Sequence, residues 1–144
     1  MVKKAINSDK RVLAELAVQM WGSHTANELE EKFEEIMHSE NVALFIKYID
    51  GLAIGFAQCG LRVDYVEGTK SSPVGYLEGI FIDDEYRCNG FAKELFNACE
   101  QWAKEKGCRE FASDCELDNN ESLKFHMAMG FEEANRIICF RKEI

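Results

Sequence analysis

Val74–Lys93 reads VGYLEGIFIDDEYRCNGFAK. Its first half, Val74–Ile82, is apolar and rich in β-forming residues, as a buried strand requires. Its second half contains Arg87–Ala92, R-C-N-G-F-A, and a helical pattern follows at once. A helix that starts there leaves its first N–H groups without internal partners, and its dipole favours an anion at that end. Gly90 keeps side-chain bulk away from the backbone where an anion would approach. The stretch therefore predicts a phosphate-holding turn, although an ordinary turn before a helix has the same local pattern.

Working outward, Val42–Ile49 (VALFIKYI) reads as a strand, Asp50-Gly51 as a hairpin turn and Leu52–Gln58 as the returning strand, with Leu61–Val66 continuing the meander. Glu67–Pro73 is a loop, because Gly68, Ser71, Ser72 and Pro73 all interrupt regular structure. Upstream, Val2–Ile6 is a short first strand. A helix capped by Asp9 follows, with Val12, Leu13, Leu16, Ala17, Met20 and Trp21 on one face. Trp21 at its end serves either as core packing or as a stacking platform for a sugar or cation. Asn27–Met37 is a second helix; its outer run of glutamates is either a solvated face or the border of a site for a polycation.

Downstream, Phe91, Leu95, Cys99, Trp102 and Ala103 form the buried stripe of a helix that Gly107 ends. Cys108–Cys115 reads as the next strand, Asn119–Met129 as a helix stopped by Gly130, and Arg136–Phe140 (RIICF) as a last strand. The order βαα, then a run of strands, then αβαβ predicts an α/β (α+β) fold with a central mixed sheet. The chain of 144 residues is expected to make one domain spanning 1–144.

With 47% hydrophobic residues and one proline, the chain has the composition of a folded globular protein. A net charge of −9 disfavours nucleic acid and anionic membranes and suits a cationic substrate. The first ten residues lack the apolar core of a signal peptide, which predicts a cytoplasmic protein. The six cysteines form no C-x-x-C pair and have no zinc-like spacing to His24, His38 or His126, so no metal site is expected. Free thiols, mostly small core residues, are the expectation in a reducing compartment.

Two carboxylates stand out. Glu78 lies inside an apolar strand, where a buried charge needs a partner or a task. It is a candidate for a functional role, or else an ion-pair partner of a core-edge Arg or Lys. Asp114 ends the next strand, and neighbouring strands ending side by side would place both on one cleft.

Two motifs sharpen these readings. R-x-x-G-x-A after an apolar strand (Arg87, Gly90, Ala92) resembles motif A of the GNAT superfamily of N-acetyltransferases. Asn119–Phe131, NNESLKFHMAMGF, resembles the ending N-x-x-[AS]-x-x-x-Y-x-x-x-G-F of the same superfamily, with Asn119, Ser122, Gly130 and Phe131 at its spacing. The stretches SSPVGYLEGIFI, KGCREFASDCELDN and FHMAMGFEEANRIICF resemble the bacterial aminoglycoside 6'-N-acetyltransferases.

The resemblance implies the GNAT fold, a mostly antiparallel mixed sheet flanked by about four helices. It implies acetyl-CoA as co-substrate, no metal, and transfer of the acetyl group by direct attack of the 6'-amine of an aminoglycoside antibiotic, which confers resistance. The pantetheine would lie along Ile80, Phe81 and Ile82. The pyrophosphate would rest on Arg87, Cys88, Asn89, Gly90, Phe91, Ala92 and Lys93, with Asn119 touching the cofactor from the other side. Glu78 would accept the amine proton. Trp21, Tyr65, Glu78, Asp114 and Asn135 would contact the substrate. His126 departs from the usual tyrosine; it either protonates the departing thiolate or only packs. A homodimer, through the C-terminal strands, is also implied. The alternatives are an acetyltransferase for another amine, such as a polyamine or a protein N-terminus, and a non-catalytic acyl-CoA-binding module of the same fold.

Overall fold

The computed structural model describes residues 1–144. One five-stranded sheet forms its centre: β1 (Val2–Lys4), β2 (Val42–Ile49), β3 (Leu52–Arg62), β4 (Val74–Ile82) and β5 (Phe111–Ser113), in that spatial order. The first three pairings are antiparallel and β4 with β5 is parallel. Four helices flank it: α1 (Lys10–Ala17), α2 (Ala26–Ile36), α3 (Phe91–Glu105) and α4 (Asn120–Ala128). This is the mixed, mostly antiparallel sheet that the sequence predicts.

The Asp50-Gly51 hairpin forms as expected. Both residues take positive φ (49° and 80°), the backbone that a tight two-residue β-turn demands. The sheet then buries both faces. Helices α1 and α2 cover one, where Leu13, Leu29, Phe33, Ile46 and Phe56 are fully buried. Helix α3 covers the other with Leu95, Phe96, Cys99 and Trp102 against Phe45, Ala57, Cys59 and Leu77. Each large side chain closed off in this way contributes about 2–3 kcal/mol. Phe125 of α4 and Phe131 after it pack on the second core through Phe96, with ring centroids 6.4 and 5.4 Å away.

Four expectations change. Leu61–Val66 is not a second piece of the meander: β3 runs unbroken to Arg62, held by its ladder to β4 as far as the Arg62–Val74 pair. Helix α1 ends at Ala17, and Trp21 lies beyond it in the following turns. The strand expected over Cys108–Cys115 shrinks to Phe111–Ser113, because only three of its residues find partners on β4. Arg136–Phe140 forms no strand at all. Ile138 is 80% and Phe140 90% exposed, so the segment has strand-forming residues but pairs with no strand of the sheet. Cys88 is exposed, as its place in the turn suggests; the other cysteines are less uniformly internal than expected, with Cys59 and Cys99 buried but Cys115 and Cys139 exposed. No helix is long and apolar enough to cross a membrane.

Candidate active site

The turn after β4 is built from its own side chains. Arg87 folds back: its Nε donates to the carbonyl of Ile82 at 2.9 Å, and its Nη2 pairs with Asp84 at 3.0 Å. The Asn89 amide donates to the carbonyls of Tyr86 and Arg87, both at 3.1 Å. Cys88 (φ 64°) and Gly90 (φ 80°) are left-handed, which re-aims the chain into α3. No backbone carbonyl accepts from the amides of residues 88–93, and a Cβ at Gly90 would meet nothing within 4 Å. The first turn of α3 is pinned from below by Lys47, whose Nζ is 3.0 Å from Glu94 and 4.9 Å from the ring centre of Phe91. The result is a fixed row of donors open to solvent, suited to a diphosphate.

Beside this turn the sheet forks. Strands β4 and β5 pair only at Gly75–Phe111, Tyr76–Ala112 and Leu77–Ser113, yet β4 continues to Ile82. From Glu78 onward its edge on that side is free. Ile80, Phe81 and Ile82 therefore lie along an unpaired edge leading to Arg87, a strip that can accept an extended, amide-containing chain by backbone hydrogen bonds. The fit to a pantetheine diphosphate is good in both parts.

Glu78 sits at an irregularity. Gln58 of β3 pairs with Gly79 and Cys59 with Leu77, so Glu78 has no partner and is the extra residue of a β-bulge. The bulge turns its carboxylate outward, and its side chain is one-third exposed rather than buried. The expectation of a buried charge is thus corrected: the kink, not burial, accounts for a glutamate within this strand. Trp21 packs under the kink. A Cβ on Gly79 would come within 3.0 Å of its ring, and Trp21 also packs edge-on against Phe56 at 5.8 Å.

Glu78 is joined to Asp114 through two residues that sequence reading did not single out. Arg62 Nη2 lies 3.0 and 3.1 Å from the two Glu78 oxygens, and its guanidinium lies 3.4 Å over the ring of Tyr76. The Tyr76 hydroxyl donates to Asp114. Burial, and then that bond to a carboxylate, push the Tyr76 phenol above its ordinary pKa. The available signal was period two: Val74, Tyr76 and Glu78 alternate along β4, so Tyr76 belongs beside Glu78. Arg62 had no such signal.

Tyr65 and Asn135 meet on a different set of contacts. Tyr65 is 75% exposed and accepts from the Gly68 amide through its hydroxyl. Asn135 donates to Glu67 at 2.9 Å, and Ala134 lies against Gly68, so the C-terminal segment covers this loop. Asn119 caps α4, accepting from the Ser122 amide at 3.1 Å, which leaves its NH2 group free. His126 is half-buried between Phe125 and Phe131. Its Nδ1 lies 2.6 Å from the Ser122 carbonyl oxygen and its Nε2 2.7 Å from Ser113 Oγ. No group of three or more His, Cys, Asp or Glu residues is arranged to hold a metal ion.

Comparison with known proteins agrees with this geometry. The profile of the acetyltransferase (GNAT) family matches residues 11–131. A Salmonella typhimurium (strain LT2) protein named aminoglycoside N(6')-acetyltransferase type 1 is 46% identical over 127 residues, 88% of each chain. One of the same name from Acinetobacter haemolyticus is 35% identical over 143 residues, 99% of this chain and 98% of its own. Among solved structures, AAC(6')-Iy in complex with the bisubstrate analogue CoA-S-monomethyl-acetylneamine is similar at a TM-score of 0.95 and 41% identity, over 100% of this chain and 98% of that one.

Proposed function

The chain belongs to the acetyltransferase (GNAT) family, and on that premise we propose that it transfers an acetyl group from acetyl-CoA to the 6'-amine of aminoglycoside antibiotics. The observation that carries the reading is the free row of amides from Cys88 to Lys93, opening beside the β4–β5 fork. The identity of relatives named as aminoglycoside N(6')-acetyltransferases supports the choice of acceptor, as does a similar structure solved with a CoA–aminoglycoside analogue.

Arg87, Cys88, Asn89, Gly90, Phe91, Ala92 and Lys93 hold the pyrophosphate, mainly through backbone N–H groups. The backbone of Ile80, Phe81 and Ile82 aligns the pantetheine, and the free amide of Asn119 supplies a further contact. The bound co-substrate brings an activated acetyl group; the protein's task is to place a neutral amine against it. Glu78 receives the proton of the incoming ammonium, directly or through water. Asp114 faces the same acceptor from across Tyr76, and Trp21, Tyr65 and Asn135 complete the acceptor's surroundings. His126 is the proton source for the departing thiolate.

Acetylation removes one positive charge from the drug and weakens its attraction to RNA phosphates, so resistance is the expected phenotype. The protein acts in the cytoplasm. It works as a homodimer whose contact includes the exposed C-terminal run with Ile137, Ile138 and Phe140.

Release of coenzyme A thiol, followed over a panel of kanamycin, tobramycin, spermidine and a peptide with a free N-terminus, tests this. Turnover with the aminoglycosides is the expected result. Turnover with spermidine or the peptide alone assigns a different amine. Tight acetyl-CoA binding with no turnover on any amine reduces the chain to a binding module.

A further inference from the structure

Ser113 is the last residue of β5, and its pairing with Leu77 is the last before the strands part. Its Oγ lies at the base of the fork, 2.7 Å from His126 Nε2 on α4, while the Leu77 carbonyl oxygen on β4, 3.4 Å away, is a more distant acceptor for the same hydrogen. The other ring nitrogen of His126, Nδ1, lies 2.6 Å from the Ser122 carbonyl oxygen. A carbonyl oxygen only accepts, so Nδ1 carries the ring hydrogen, and Nε2 of the neutral ring is an acceptor. The Ser113 hydroxyl is then the donor to it. His126 reaches the last β4–β5 pair through this bond to Ser113.

From this chain of three contacts we infer that Ser113 is the catalytic residue that exchanges protons with the reacting atoms, and that His126 acts through it as a reservoir. The inference rests on the acetyltransferase reading above. The reaction forms a bond between the amine nitrogen and the thioester carbonyl carbon and breaks the carbon–sulfur bond, whose electron pair leaves on sulfur. The ammonium group sheds two protons on the way to an amide. The first goes to Glu78 or water before attack. The second passes to Ser113 Oγ, which hands its own proton to His126 Nε2. The imidazolium so formed keeps Nδ1–H on the Ser122 carbonyl and returns one proton through Ser113 Oγ to the thiolate. Each turnover releases one proton to water and leaves Ser113 and His126 as they began.

The test is a comparison of Ser113→Ala, Ser113→Thr, His126→Gln and the double variant Ser113→Ala/His126→Gln, assayed by thiol release with acetyl-CoA and kanamycin. Ser113→Ala is expected to lower kcat on the order of 100-fold, with the KM for acetyl-CoA within about two-fold of wild type. Ser113→Thr keeps a hydroxyl on a strand and is expected to recover most of the rate. The double variant is expected to be no slower than Ser113→Ala, because both substitutions cut one path. Wild-type kcat in Ser113→Ala, or effects of the two single variants that multiply, overturns the shuttle while leaving the acetyltransferase reading in place. A wild-type chain that releases no thiol with any amine overturns both. If Ser113→Ala loses its native near-UV circular dichroism, the wild-type rate in H2O/D2O mixtures decides. A bowl-shaped dependence marks the coupled transfer of two protons, and a straight line overturns it.

Discussion

Arg62 grips Glu78 with three donor–acceptor contacts between 3.0 and 3.3 Å and at the same time lies flat over Tyr76. Both partners are more than one-third exposed, so the pair contributes about 1 kcal/mol or less to stability. Its effect is on aim: a bulged carboxylate free to swing is held in one orientation, which on the proposed reading is toward the acceptor. Glu78→Gln keeps the shape but cannot take a proton, and kcat with kanamycin is expected to fall on the order of 100-fold. Arg62→Met leaves the carboxylate and loses only the aim, so a smaller loss is expected, with the KM for acetyl-CoA unchanged in both. Steady-state kinetics on the two variants checks the order. Equal losses, or a wild-type rate in Glu78→Gln, would remove Glu78 from the chemistry.

Gly90 allows the role of charge in the turn to be separated from that of backbone shape. Its φ of 80° makes any side chain there costly, by about 1 kcal/mol, and nothing nearby obstructs a Cβ. Asparagine tolerates this backbone better than most residues and is nearly isosteric with aspartate. Gly90→Asn and Gly90→Asp therefore share the conformational cost and differ by one negative charge aimed at the diphosphate. Isothermal titration with acetyl-CoA is expected to show a moderate loss for Gly90→Asn and a much larger one for Gly90→Asp. Matching affinities for the two variants would place the phosphate elsewhere.

Tyr76 makes a prediction about pH. Its phenol is held above the usual pKa near 10 by burial and by the bond to Asp114, so the protonated form is the one the native state favours. The stability linked to it is complete below about pH 10 and fades as pH climbs through the higher native value. An absorbance titration near 295 nm should show a late ionisation step that belongs to Tyr76. That last step should coincide with loss of the native circular dichroism and vanish in Tyr76→Phe. A titration of the folded protein that is the same in Tyr76→Phe apart from its amplitude, with no late step lost, would contradict the Tyr76–Asp114 bond.

How much of this was legible in the sequence depends on how local each cause is. The strand Val74–Ile82, the Asp50-Gly51 hairpin and the glycine that starts α3 are set by neighbours within a few residues, and all three are found where the pattern puts them. The bulge at Glu78 exists only because β3 and β4 fall out of step at Gln58–Cys59, which no window along β4 reveals. Tyr76–Asp114 and Arg62–Glu78 join residues 38 and 16 positions apart. The five residues RIICF have every local mark of a strand, but a strand is a pairing, and these residues pair with none of the five strands.

That same segment yields a prediction on assembly. Ile137, Ile138 and Phe140 are exposed in a run rather than scattered, and an apolar strand-former without a partner is a natural edge for a second chain. Light scattering behind size exclusion should give twice the 16.5 kDa of one chain. Ile138→Asp with Phe140→Asp should halve it, because two carboxylates would have to be buried in the contact. A wild-type chain that stays monomeric at tens of micromolar would leave this face to some other partner.

Gly79 and Trp21 test whether the bulge is held from beneath. An added Cβ at Gly79 would lie 3.0 and 3.4 Å from two ring carbons of Trp21 and 3.6 Å from Met20. The ring cannot simply step aside, since it is packed between Phe33 and Phe56. Gly79→Ala is therefore expected to cost about 1–3 kcal/mol, the usual range for overpacking. Because the strain is shared, the smaller Trp21→Leu side chain should relieve it. The double variant should be more stable than the sum of the two single losses allows, by about 1 kcal/mol in a thermodynamic cycle. Catalysis gives the second readout. Moving Trp21 shifts the bulge that carries Glu78, so Gly79→Ala should raise the KM for kanamycin while acetyl-CoA binding, which the proposed reading assigns to the turn at Arg87–Lys93, stays as it was. Additive stabilities together with an unchanged KM would mean that Trp21 fills space beneath β4 without setting the position of Glu78.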